Sequence, residues 1–201
     1  MPPLPAKFAL AMFMMLCISG PACAADLAPT EFLDERTGAT ITVVHDPLVF
    51  AYERSSLAAN ARDYISLTAV EVDRSGKLQT YLVGYIWSTI DRRNHSAAPD
   101  QSGKPLDLLA DGRQIQLLPV AEFPKDLLDQ QKLLAPPASH VLRAAYPASR
   151  ELLRYIAESK SMALSFAVDT ADEDAERESY QIWGDGKKAL IEFVARTDGF
   201  K

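Results

Sequence analysis

The sequence predicts a single α+β domain, mainly antiparallel sheet built from hairpins, with one or two short helices packed on it. Three observations predict it. Turn signals divide the chain into strand-length apolar segments, one late segment carries an apolar stripe at helical spacing, and the order of segments runs through hairpins before that helix returns to a strand and a closing hairpin.

The chain opens with one cation, Lys7, an uncharged run from Phe8 to Ile18, and the small residues of Ser19-Gly20-Pro21-Ala22-Cys23-Ala24. That is the three-part plan of a secretory signal, with cleavage expected after Ala24 and a mature domain over residues 25–201. The apolar run is shorter than the ~20 residues a bilayer span takes. A second route, lipoprotein processing at Cys23, would normally ask for a branched apolar residue where Gly20 stands. Cys17 and Cys23 are the two cysteines of the sequence and both fall in this leader. The mature domain then forms no disulfide and no thiolate site, and its stability rests on a packed core.

Glu35-Arg36-Thr37-Gly38-Ala39 and Asp73-Arg74-Ser75-Gly76-Lys77 read as three-residue hairpin loops with glycine in the left-handed position. The first sets Leu33 opposite Ile41, and the strand runs on through Val43 and Val44. Leu48 to Arg54 is a further short strand, and Ser55 to Arg62 holds room for one helical turn. The second loop, with Asp73 opposite Lys77, sets Ile65, Leu67 and Ala69 across from Tyr85, Val83 and Tyr81, and Asp63 across from Trp87. One face of this hairpin is then nearly all apolar and the other half apolar, which marks it as central.

Asp111-Gly112 and Asp185-Gly186 both suit two-residue turns. The former pairs Leu108 with Ile115 and Leu106 with Leu117; the latter pairs Ile182 with Ala189, Tyr180 with Ile191 and Glu178 with Phe193. Pro147, Ala148, Leu152, Leu153 and Ile156 make the helical stripe, with proline in the first turn where its missing N–H costs nothing. A weaker helix comes after Pro124, through Leu127, Leu128, Gln131 and Leu134. Val141 to Tyr146 fits strand or helix, and Met162 to Val168 reads as strand. Asp91 to Pro105 and the acidic Asp169 to Glu178 read as loops.

Charge narrows the partners. The chain carries 21 Lys and Arg against 27 Asp and Glu, a formal net charge of −6, and losing Lys7 with the leader makes it one more negative. Nucleic acid and anionic membrane surfaces are therefore disfavoured, since both are bound through clustered positive charge. Catalytic signatures are sparse. Gly184-Asp185-Gly186-Lys187-Lys188-Ala189 has the letters of a dinucleotide loop, but the hairpin expected there denies it the strand-to-helix setting that phosphate binding needs. An EF-hand begun at Asp172 would need glycine and glutamate where Arg177 and Trp183 stand. His45, His95 and His140 are scattered, and no Gly-x-Ser-x-Gly elbow exists. No metal and no cofactor is expected.

Two sets of candidate site residues remain. Asp91, Arg92 and His95 put an acid, a cation and a base in one polar loop, the makings of a dispersed hydrolase site. Tyr81, Tyr85 and Trp87 form an aromatic row that can line a binding surface or simply fill a core. The leading expectation is an exported, periplasmic or secreted, non-enzymatic domain that binds another envelope protein or a ligand. The alternatives are a carrier of a small apolar ligand in a sheet-enclosed cavity and a small hydrolase near His95.

Overall fold

The computed structural model describes residues 27–54, 60–89, 103–128, 136, 138, 141–166 and 178–198. Residues 55–59 and 129–134, where helical turns are expected, lie outside the described residues. The first hairpin joins β1 (Thr30–Asp34) to β2 (Ala39–Val43). Its turn holds Gly38 at φ +69°, as the sequence suggests, but the loop is one residue longer: Asp34 pairs with Ala39 and Phe32 with Ile41. The cause is Asp34, whose carboxylate accepts from the Arg36 N–H and the Thr37 hydroxyl and organises the extra residue. The Thr37 hydroxyl holds the Asp34 pKa below the usual carboxylate value of 3.8. Leu33, expected opposite Ile41, pairs with Thr40 instead and is exposed.

β3 (Leu48–Glu53) leads to the spine of the molecule, β4 (Arg62–Arg74) and β5 (Lys77–Ser88). Here the expected register is wrong by one residue. Ser75 and Gly76 both have positive φ, +54° and +82°, so the loop is a two-residue turn of the mirror-image type and Arg74 pairs with Lys77. Asp73 stabilises it by accepting from the Gly76 N–H at 2.7 Å. A slip of one residue moves every side chain to the other face. Leu67 therefore faces Gly84, Val83 pairs with Thr68 on the opposite side, and Tyr64 rather than Asp63 stands beside Trp87.

β6 (Leu106–Ala110) and β7 (Arg113–Leu117) pair as the sequence predicts, Leu108 with Ile115 and Leu106 with Leu117. After a short 3-10 turn at Lys125–Leu127, β8 (Leu142–Pro147) adds to the free edge of β5. Pro147 thus ends a strand, and helix α1 (Arg150–Glu158) starts three residues later, where the Ser149 side chain caps the Leu152 N–H. β9 (Met162–Phe166) and β10 (Tyr180–Gly184) complete the sheet. The hydrogen-bonded order is β7-β6-β9-β10-β3-β4-β5-β8, with β2 sharing an edge of β4 beyond β3 and β1 outside β2; every pairing is antiparallel. Just past β7 the Val120 N–H donates to the Ala145 carbonyl, so the chain returns from one end of this order to the other.

The closing hairpin expected at Asp185-Gly186 does not form. Helix α2 (Lys187–Asp198) begins directly after β10, with Leu190 N–H donating to the Gly186 carbonyl and Lys187 N–H to Asp185 Oδ1. Ala189, Leu190, Phe193 and Val194 are buried while Ile191 is exposed, a spacing that fits a helix and not the alternation of a strand.

The sheet has two apolar faces. One carries Phe50, Ile65, Leu67 and Leu82 against Leu153 and Ile156 of α1 and Leu190 and Phe193 of α2. The other carries Ile41, Val70, Val72, Val83 and Tyr85 against Leu127, with Phe123 packed alongside. The 3-10 turn is fastened over this second face by Arg74, which grips the buried carboxylate of Asp126 through two nitrogens, and by Arg36, which donates to the Lys125 carbonyl.

Candidate functional site

Asp91, Arg92 and His95 lie outside the described residues, as do His140 and the acidic run before Glu178. Glu178 itself joins a charge cluster: Arg54 bonds both Asp63 and Glu178, and the Tyr180 hydroxyl donates to Glu178. Burial costs the Arg54 guanidinium, yet its two carboxylates outweigh that and raise its pKa. This cluster ties β3, β4 and the start of β10 together. His45 bonds the Thr30 hydroxyl across the first hairpin. Among the described residues no group of three or more His, Cys, Asp or Glu is placed to hold a metal ion.

The aromatic row divides. Tyr85 is 2% exposed and belongs to the second core, where burial pushes its hydroxyl pKa up. Tyr81 is half-buried at the margin of that core and donates to Gln79. Trp87 is also half-buried: it packs against the second cluster and stacks on Tyr64, with ring centroids 5.2 Å apart and 13° between planes.

That stack is the start of a larger cluster. Trp183 sets its edge against Tyr64 at 6.3 Å and 77°, and the Arg62 guanidinium lies 4.6 Å from the centre of the Trp183 ring. Arg62 is held in place by two bonds to Glu53 Oε1, of 2.6 and 3.1 Å. Four strands thus converge, β3 through Glu53, β4 through Arg62 and Tyr64, β5 through Trp87 and β10 through Trp183. Strand alternation puts Trp183 on the face opposite Tyr180 and Phe50, at the point where the β10 register shifts: Ile182 pairs with Phe50 and Gly184 with Val49, leaving Trp183 as the extra residue. Its side chain is 59% exposed.

Tyr64 and Trp183 escape a reading of the sequence for different reasons. The three-residue loop assumed at Arg74-Ser75-Gly76 places Tyr64 across from Ile86; the two-residue loop places it across from Trp87. For Trp183 the signal is Gly184, a glycine near the end of a strand, which marks a bulge or a close backbone approach.

The helix-covered face offers a different chemistry, being filled by apolar side chains from α1 and α2. Gly184-Asp185-Gly186 does stand between a strand and a helix, contrary to expectation, but the setting is not that of a phosphate loop. A Cβ built on Gly186 would collide with the Asp46 carbonyl oxygen and lie 2.6 Å from that of Pro47, so this glycine serves close main-chain packing, and the Asp185 carboxylate already accepts the Lys187 N–H at the start of the helix. Fold and site together define an antiparallel α+β sheet protein with an exposed aromatic and cationic cluster on one face. No family model, curated protein or solved structure matches the chain. No helix is long and apolar enough to cross a membrane among the described residues.

Proposed function

We propose that this chain is an exported, periplasmic, non-enzymatic domain that binds another envelope protein through the cluster of Tyr64, Trp87, Trp183 and Arg62. One observation carries the reading: Trp183 is held by ring and guanidinium contacts while most of its surface stays in solvent. Large rigid aromatics beside an arginine are the residue types that dominate protein interfaces, because they bury much area for little lost rotamer freedom. The export half of the reading rests on Lys7, the Phe8 to Ile18 run and Ala22-Cys23-Ala24.

The test is site-specific photocrosslinking in cells that express the full chain. A benzophenone amino acid at position 183 should give one defined adduct in the envelope fraction, and the same probe at exposed Ile191 should not. Equal, diffuse labelling from both positions would overturn the interface. N-terminal sequencing of the envelope form should begin at Ala25; a chain starting at Met1 in the cytoplasm would overturn export.

A further inference from the structure

A second site lies on the same face of the sheet but beside the outer edge of β8. A recess of about 180 Å³ opens there, lined by Val120, Ala121 and Phe123 from the segment after β7, by Arg143, Ala144 and Ala145 of β8, and by Gly103. The Val120 to Ala145 hydrogen bond, 2.9 Å, fixes one wall against the other. Phe123 and Val120 give the recess apolar side chains, whereas Ala144 turns its side chain to the helix-covered core and Ala145 is buried, so the floor along β8 is largely main chain.

Most arginines among the described residues are paired with carboxylates, whereas Arg113, over the Tyr155 ring, and Arg143 have an aromatic ring as their recorded partner. Arg36, Arg54, Arg62, Arg74, Arg150 and Arg196 each reach a carboxylate. Arg143 reaches none among the described residues; its guanidinium lies over the ring of Phe123, 4.8 Å from the centroid. It is half-buried, and its cross-strand neighbour on β5 is the buried Tyr85. Ring contact orients a guanidinium without using its N–H groups, so the donors of Arg143 remain available to an acceptor that enters the recess.

We propose that this recess is a binding site for a small, ring-sized organic carboxylate, with Arg143 as its counter-ion, the Phe123 and Val120 side chains as its apolar wall and the β8 main chain as its polar floor. Size supports the class of ligand, since a cavity of about 150 Å³ suffices for benzene. Chemistry supports the charge: a planar guanidinium with free N–H groups matches a carboxylate bidentately, and a half-buried cation stacked on the Phe123 ring favours an anion that carries a ring of its own. A hydrated inorganic anion gains nothing from the Phe123 and Val120 side chains.

The experiment is an amide-shift titration of the mature domain by NMR with sodium benzoate, with benzyl alcohol as the neutral ligand of the same shape and inorganic phosphate as the bare anion. Benzoate should shift the amides of Val120, Ala121, Ala144 and Ala145 and saturate, with benzyl alcohol weaker by about tenfold, the loss expected when one charge-assisted bidentate contact is missing. Arg143→Gln should weaken benzoate by a similar factor while amides far from β8 keep their positions, and Arg143→Lys should fall between. Three results would overturn the proposal: no saturable shift at those amides into the tens of millimolar, equal response to benzyl alcohol, or phosphate binding as tightly as benzoate. The wild-type comparison of benzoate with benzyl alcohol decides the matter even if a variant fails to fold.

Discussion

The chain uses the dipeptide Asp-Gly twice at the end of a strand, and the two copies do opposite things. At Asp111-Gly112 both residues have positive φ, +46° and +80°, and the chain doubles back into β7. At Asp185-Gly186 the chain leaves β10 and becomes α2. Glycine is needed for backbone conformation in the first case, where a Cβ would meet open space, and for room in the second, where it would meet two main-chain carbonyls. The residues after the dipeptide decide between the two outcomes. Arg113 to Leu117 alternates in burial on the way to a sheet edge, whereas Ala189, Leu190, Phe193 and Val194 bury at helical spacing. Local turn chemistry permits a hairpin; the period of the next ten residues selects or refuses it.

The strongest way to break this contrast is at Phe193, 1% exposed in the helix but set opposite Glu178 in a hairpin. Phe193→Ala should cost about 3–5 kcal/mol in urea unfolding, while Ile191→Ala, at the exposed position that a hairpin would pair with Tyr180, should stay within about 0.5 kcal/mol. Equal losses at the two positions would refute the helix. Next comes Gly186→Ala, which forces a carbon into the carbonyls of Asp46 and Pro47 and should cost about 1–3 kcal/mol. Gly112→Ala should cost about 1–2 kcal/mol, the penalty of a left-handed residue with a Cβ, and Gly112→Asn should recover part of it because asparagine tolerates that conformation. Recovery by asparagine at position 186 as well would show that both glycines serve conformation.

Asp111 supplies the finest distinction. Its carboxylate accepts from the Ser161 and Lys160 N–H groups and the Ser161 hydroxyl, tying the β6–β7 turn to the start of β9, and the Ser161 backbone bond is the main cause holding its pKa below the usual 3.8. The folded state therefore binds this proton less readily than the unfolded one. Stability from Asp111 is fully present above the ordinary carboxylate range and is lost as pH falls below about 4 and through the lowered folded value. The urea midpoint of the parent should accordingly fall more steeply with acid than that of Asp111→Asn. Identical slopes would mean that the contact contributes nothing.

Much of the sheet is legible in the sequence because strand period and turn chemistry are both short-range. The β6–β7 register, the strands at Leu48 and Met162 and the helix after Pro147 all depend on neighbours within a few residues. The failures have particular causes. The β4–β5 slip comes from counting Arg74 into the loop, which a two-residue Ser75-Gly76 turn does not require. The missed helix at Lys187 comes from weighing the turn above the period after it. The aromatic cluster draws on β3, β4, β5 and β10, strands far apart in the chain, so no local pattern could assemble it.

The sheet order has a consequence in time. β3 finds one of its neighbours only in β10, and Arg196 of α2 bonds both the Pro29 carbonyl and Glu31 Oε2, a residue 165 positions earlier in the chain. A polypeptide emerges N-terminus first, so the first hairpin and the long β4–β5 pair can form early but must wait with an apolar flank uncovered until the last helix arrives. During that interval the unpaired edge of β3 is the vulnerable seam, open to pairing with a strand of another chain before its own arrives. Late completion therefore makes the β3 edge the last seam of the described sheet to close.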